Sequence, residues 1–216
     1  MIEYATPLGN LPLDVDVIRE LKSQQEVPFK TFSQHDDEEE HSIEMQLPLI
    51  RYTFKSNSNV RIVPLYVGSL VQNEERLYGR LLSKYFDDPS TLFVVSSDFC
   101  HWGHRFRFTP REFPQKLFPS VVFPQGSMNG NIESLDRQAM ELIGKQDCEG
   151  FYKYLQSTGN TICGRHPILV LLETMRHAQM KVHMEFIHYS QSTQLPDVVS
   201  RDDSCVSYAA GVAWTQ

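Results

Sequence analysis

Apolar positions along the 216-residue chain change their period several times, and each period predicts an element. Near the start, Val17, Ile18 and Leu21 recur at helical spacing behind Asp14, a residue type that caps the free N–H groups of a first turn. Glu38 to Phe54 carries Ile43, Leu47 and Ile50 on one helical stripe. Pro48 is expected to bend or interrupt that helix, because its ring removes a hydrogen-bond donor. Val60 to Val67 (VRIVPLYV) predicts a strand, placed at an edge or a bulge by Pro64. A helix follows, capped by Asn73 and acidic in its first turn through Glu74 and Glu75, with Leu77, Leu81 and Tyr85 on one face. Thr91 to Val95 is a short continuous apolar run, the pattern of a strand buried on both faces in a parallel sheet.

Helices are then predicted over Ser134 to Lys145, over Asp147 to Gln156, and from Pro167 to about Ala178. Period two returns in Val182, Met184 and Phe186, and again in Val206, Tyr208, Ala210, Val212 and Trp214. Alternating elements of both kinds predict an α/β fold, a layered sheet flanked by helices, in a single domain over residues 1–216. Pro110 to Gly130 holds further prolines and no periodicity, and is expected to be a surface loop or insertion. The acidic run Asp36 to Glu40 reads as a solvated helix start, since consecutive acids on a helix point in different directions.

Composition narrows the classes. A hydrophobic fraction of 41% and an aromatic fraction of 11% fit a globular chain. The net charge of −7, without any cluster of Lys and Arg, argues against a general nucleic-acid binder. The longest aliphatic run, Ile168 to Leu172, is too short to cross a bilayer, and the N-terminal residues lack the pattern of a signal peptide. Cys100, Cys148, Cys163 and Cys205 are scattered with no CxxC pair, which predicts free thiols and a cytoplasmic protein.

Three stretches hold candidate chemistry. In TLFVVSSDFCHWGHRF an apolar run stops at two serines, and Asp98 and His101 follow where a strand would end. A carboxylate three residues from an imidazole can orient it and fix its tautomer, as a general base or behind a metal. Alternatively, Asp98 accepts N–H bonds in the turn and His101 packs beside Trp102. In NTICGRHPIL, Cys163 precedes a helix start and has Arg165 and His166 beside it, which suits a nucleophile or a metal ligand. The plain alternative there is a small buried cysteine at a helix entry. In EHSIEMQLP, His41 and Glu44 are three apart and would share a helix face, either supporting a metal or salt-bridging a helix start.

Taken in order, EHSIEMQLP, LFVVSSDFCHWGHRFRF, NTICGRHPI and DSCVSYAAG resemble the Memo family, mediators of cell motility downstream of ErbB-type receptor tyrosine kinases. The resemblance runs from Tyr4 (YATPLGNLPLD) to the C-terminus and is broken mainly between Phe108 and Asn131. It implies a fold similar to the class III extradiol dioxygenases and a shallow pocket for copper or iron. By position, Cys163 falls on the family's metal-ligating cysteine, and Asp98 and His101 fall on pocket residues, the candidate catalytic groups. The family's two ligating histidines lie in HAGY-type and GPSHH-type motifs that this chain does not contain, so the resemblance implies an N-terminally truncated form with an incomplete metal site. The expected function is a signalling adaptor linking receptor tyrosine kinases to motility and the cytoskeleton, with a vestigial metal or redox pocket. Its expected partners are a receptor-derived phosphotyrosine peptide or signalling proteins. The alternatives are a copper- or iron-dependent redox enzyme, or a thiol-dependent hydrolase with Cys163 as nucleophile, His101 as base and Asp98 orienting it.

Overall fold

The computed structural model describes residues 2–57, 59–110, 127–196 and 198–215. The chain divides into two compact units, residues 1–70 and 71–216.

In the first unit, β1 (Glu3–Tyr4) pairs antiparallel with β2 (Leu11–Pro12). Helix α1 (Val15–Lys22) starts as expected, with Asp14 Oδ1 accepting the Val17 N–H at 3.1 Å. The single helix expected over Glu38 to Phe54 is instead two, α2 (Gln34–Glu39) and α3 (Leu47–Thr53), joined by turns. Pro48 explains the break: in the first turn of α3 its missing N–H costs nothing, whereas inside a longer helix it would clash with the preceding turn. His41 and Glu44 therefore share no helical face, and His41 is exposed, its Nδ1 4.0 Å from Glu40. The strand expected over Val60 to Val67 is reduced to one bridge, Ile62 running parallel to Leu13. Side chains fasten that segment: Tyr66 stacks on Phe32 with ring centroids 4.3 Å apart. The hydroxyls of Tyr4 and Tyr66 both donate to Asp37 Oδ1, at 2.5 and 2.8 Å.

The second unit opens with α4 (Gln72–Phe86), which starts one residue before the expected cap, with Glu74 accepting the Val71 N–H at 2.9 Å. Its buried stripe is Glu75, Gly79 and Leu82, facing α7 (Arg165–His177), and not the more hydrophobic Leu77, Leu81 and Tyr85. A Cβ on Gly79 would lie 2.4 Å from Glu173 Cβ, so the crossing selects for a missing side chain. Helix α5 (Met128–Gly144) begins six residues before the expected start, because Ser127 Oγ caps the Gly130 N–H at 3.1 Å. Helix α6 (Cys148–Thr158) is capped by Asp147 and ends at Gly159, whose φ of 63° lies in the left-handed region. The expected insertion falls mostly outside the described residues.

The sheet corrects the expectation drawn from Thr91 to Val95. That segment has no strand partner among the described residues, and Leu92 and Val94 are 66% and 49% exposed. Phe93 and Val95 are half-buried: the Phe93 ring centroid lies 5.5 Å from that of Phe86, and Val95 packs against the core. A run buried on both faces needs strands to either side, and this one is covered on one side only. The ladder begins further along, where β3 (His101–Gly103), β5 (Ser204–Thr215) and β4 (Val182–Gln191) form an antiparallel sheet in the order β3-β5-β4. The fold is thus a mix of helices and antiparallel sheets, not a parallel one. β4 and β5 join through a loop with no crossover helix among the described residues, and such connections give antiparallel neighbours. Helix α5 lies on β4 and β5, α6 packs on α5 and α7, and α4 packs on α7. The core fills from Ile132, Leu135 and Ile143 of α5, Phe151 and Tyr154 of α6, Leu172 of α7, and Phe99, Cys100 and Trp102 beneath them.

Within that core, Asp136 of α5 is fully buried. One of its oxygens accepts the Cys100 N–H at 3.2 Å and the Asn160 amide at 3.0 Å, and the other accepts the Tyr189 hydroxyl at 3.0 Å and the Ser207 hydroxyl. Burial pushes this carboxyl up to about 6, against the pull of the bonds it accepts. One side chain thereby ties α5 to the segment before β3, to the loop before α7, and to both long strands.

Candidate functional site

Asp136 sets the register of two loops, residues 96–101 and 160–164, and these meet at the rim of the second unit. Asn160 and Cys100 are held directly, so Asp98, two residues before Cys100, and Cys163, three residues after Asn160, face one another. The Asp98 N–H donates to Cys163 Sγ at 3.1 Å, and the Cys163 N–H donates back to the Asp98 carbonyl at 3.3 Å. The Cys163 thiol faces that same carbonyl at 3.7 Å. Gly164 permits this approach: a Cβ there would stand 2.4 Å from Ser97 Cβ and 2.8 Å from the Ser96 carbonyl.

His101 is fixed by the same loop. Its N–H donates to Thr161 Oγ1 at 2.8 Å, and that hydroxyl donates to the His101 carbonyl at 3.0 Å. Ring Nδ1 lies 2.9 Å from the Phe99 carbonyl and 3.1 Å from the Thr161 carbonyl. Carbonyls only accept, so Nδ1 carries the hydrogen and the neutral ring keeps a bare lone pair on Nε2. Nε2 lies 3.7 Å from Asp98 Oδ2, too far for a hydrogen bond but close enough to feel its charge. The ring stands edge-on to Phe106 at 5.1 Å, and the Arg105 guanidinium covers the other ring at 4.4 Å. Arg105 and His104 also line, with Arg201, Asp202 and Asp203, a cavity of about 360 Å³.

The structure therefore gathers Asp98, His101 and Cys163, which are up to 65 residues apart in the chain. The plain alternatives fare poorly. Cys163 is exposed while Cys100, Cys148 and Cys205 are buried, so it is not a core cysteine at a helix entry. His101 rests on Phe106, not beside Trp102, which is buried in the core. Asp98 accepts the turn's N–H with its carbonyl, leaving its carboxylate toward the imidazole. The sulfur's partners are Asp98 and Ser97, not an imidazole, so the nucleophile–base bond of a thiol hydrolase is absent among the described residues.

His166 turns elsewhere: its Nδ1 pairs with Glu75 Oε1 at 2.7 Å. Glu75 is 1% exposed, its other oxygen has no hydrogen-bond partner among the described residues, and burial raises its pKa while His166 opposes that shift. Sequence reading saw Glu75 only as a first-turn acid, because an acid at a helix start looks alike whether exposed or buried. Among the described residues, no three His, Cys, Asp or Glu side chains are grouped as a metal ion requires. One thiol and one imidazole fall short of the ligand set that copper or iron takes.

Comparison with known proteins places the chain in a family. A family model described as Memo-like protein matches residues 1–212. The chain is 40% identical over 214 residues to the protein memo-1 homolog of Caenorhabditis elegans, covering 97% of this chain and 57% of the relative. It is 42% identical over 212 residues to protein MEMO1 of Homo sapiens and of Rattus norvegicus, covering 96% of this chain and 66% of each relative. The chain belongs to the Memo family. It spans from 57% to 66% of the length of these curated relatives. Three of the four Memo-like stretches form one connected structure, since Phe99 to Gly103 ladders onto Ser204 to Ser207 and the Cys163 turn closes over Asp98. The fourth, EHSIEMQLP, belongs to the first unit.

Proposed function

We propose that this Memo-family chain is a signalling adaptor that links receptor tyrosine kinases to cell motility and the cytoskeleton, by docking a receptor-derived phosphotyrosine peptide beside the His101 rim. The supporting observation is the cavity that opens directly after β3, where His104, Arg105 and Arg201 face a common space. Guanidinium groups suit a phosphate dianion because they bind it bidentately. Asp203 is partly occupied, its Oδ2 accepting the Ser200 N–H at 2.6 Å, and Asp202 would favour a basic residue flanking the phosphotyrosine. An extradiol-dioxygenase-like arrangement, one Memo-like domain across both units, and a cytoplasmic setting belong to the same reading. An exposed free thiol at Cys163 accords with a reducing compartment. Among the described residues, no helix is long and apolar enough to cross a membrane.

The test is fluorescence anisotropy with a receptor-tail peptide in phosphorylated and unphosphorylated forms. The phosphorylated peptide should bind at least about tenfold more tightly, and Arg105→Ala with Arg201→Ala should remove that preference. Equal binding of both peptides by the unaltered chain would refute the reading.

A further inference from the structure

We propose that Phe106 is a positioning residue for Arg105, its ring serving as the platform that holds the guanidinium at the cavity for an arriving phosphate. The inference rests on the phosphotyrosine-docking reading given above. Arg105 Cζ lies 4.4 Å from the centre of the Phe106 ring. The same ring meets the His101 ring edge-on, with centroids 5.1 Å apart and planes 79° apart. His101 is itself pinned, since its Nδ1 faces the Phe99 and Thr161 carbonyls at 2.9 and 3.1 Å. One benzene ring thus bridges a fixed imidazole and a cavity-lining cation.

The backbone brings these side chains to one place. After β3 the chain makes a single 3₁₀ turn, His104–Phe106, closed by Arg107. The Arg107 N–H donates to the His104 carbonyl at 2.9 Å, and its φ of 56° lies in the left-handed region. Gly103 seats the turn against the start of β5: a Cβ there would stand 2.8 Å from Ser204 Cβ and 2.9 Å from the Asp203 carbonyl. That close approach sets Arg105 on the same cavity as Arg201. Two guanidinium groups around one cavity repel each other, and an exposed arginine has many rotamers to choose from. Laid on an aromatic face, Arg105 gains the attraction of the ring and has fewer conformers to lose when a phosphate binds. In sequence Phe106 is one aromatic within HRFRF; only the fold shows an imidazole and a guanidinium against its ring.

The experiment is fluorescence anisotropy with the phosphorylated and unphosphorylated receptor-tail peptides, on the full chain and its Phe106 variants. Phe106→Leu keeps apolar bulk and removes the π face. It should weaken binding of the phosphorylated peptide about fivefold, leave the unphosphorylated peptide unchanged, and keep the native circular dichroism. Phe106→Tyr retains the face and should stay within about twofold of the native chain. With Arg105→Ala already in place, Phe106→Leu should weaken binding no further. A folded Phe106→Leu chain with the native preference for the phosphorylated peptide overturns the Phe106 role and leaves the docking reading standing. A Phe106→Tyr chain as weak as the leucine variant does the same. If the native chain binds both peptides equally, the docking reading and the Phe106 role fall together. Should Phe106→Leu not fold, Phe106→Met carries the same comparison. Proton NMR of the chain without peptide gives a separate readout. The Arg105 δ-methylene protons should resonate upfield of their unfolded-chain position, under the ring current of Phe106, and should return toward it in Phe106→Leu. Unshifted Arg105 protons in the native chain overturn the positioning role whatever the peptides do.

Discussion

Asp136 shows what a single buried carboxylate does when four donors converge on it. Replacing it with alanine strands the Cys100 N–H, the Asn160 amide and two hydroxyls, so a loss of about 3–5 kcal/mol is expected from urea unfolding. Asparagine should be far milder. Its oxygen can serve Cys100 and Asn160, while its amide faces two hydroxyls able to rotate and accept. The pair also isolates a pH effect. The native carboxyl sits near 6, against roughly 3.9 in an unfolded chain, so the native state holds the proton more tightly. Stability from that proton is complete below about pH 4 and is lost as pH rises through about 6, some 3 kcal/mol in all. Relative to Asp136→Asn, the native chain should weaken over that window; parallel pH curves would contradict this. None of this was legible in sequence, where Asp136 is one polar residue in an amphipathic helix. As candidate groups, Asp98, His101 and Cys163 stood out in sequence, because an acid, an imidazole and a thiol follow apolar or turn-forming runs where few such groups occur.

At the scale of elements, the sequence predicted existence better than edges or faces. Helices over 15–22, 148–158 and 165–177 were expected within two residues of where they lie, since Asp14, Asp147 and Pro167 carry local signals. Faces went astray where packing outweighs hydrophobicity, and α4 is the case in point. Propensity alone says Gly79→Ala should help its helix by about 1 kcal/mol. The crossing says otherwise, because the new methyl would fall 2.4 Å from Glu173 Cβ and 2.7 Å from a backbone carbon. Backbone cannot step aside cheaply, and overpacking of this kind costs about 1–3 kcal/mol or more. Gly79→Ala should therefore lower the urea midpoint of the chain. A raised midpoint would mean that α4 and α7 slide freely over one another.

For the molecule as a whole, the alternation of helices and strands pointed to the right class but the wrong sheet. Period two marks a strand but not its neighbour, and only the helix-free return from β4 to β5 decides that they run antiparallel. Along β5 the ladder is lopsided. β4 accompanies it from Ser207 to Thr215, whereas the β3 side stops at Ser207 among the described residues. The strand SCVSYAAGVAWT has no charged residue, and Tyr208, Val212 and Trp214 are exposed along it. Backbone groups at such a margin are a template for another strand, and charges or prolines that would discourage it are missing. A stock solution should accordingly grow turbid or oligomeric as it is concentrated, and Val212→Lys should keep it clear. The two tryptophans make this visible by eye of a fluorimeter: Trp102 is sealed in the core and Trp214 meets water, so emission that drifts blue on concentration reports the margin closing upon a neighbour.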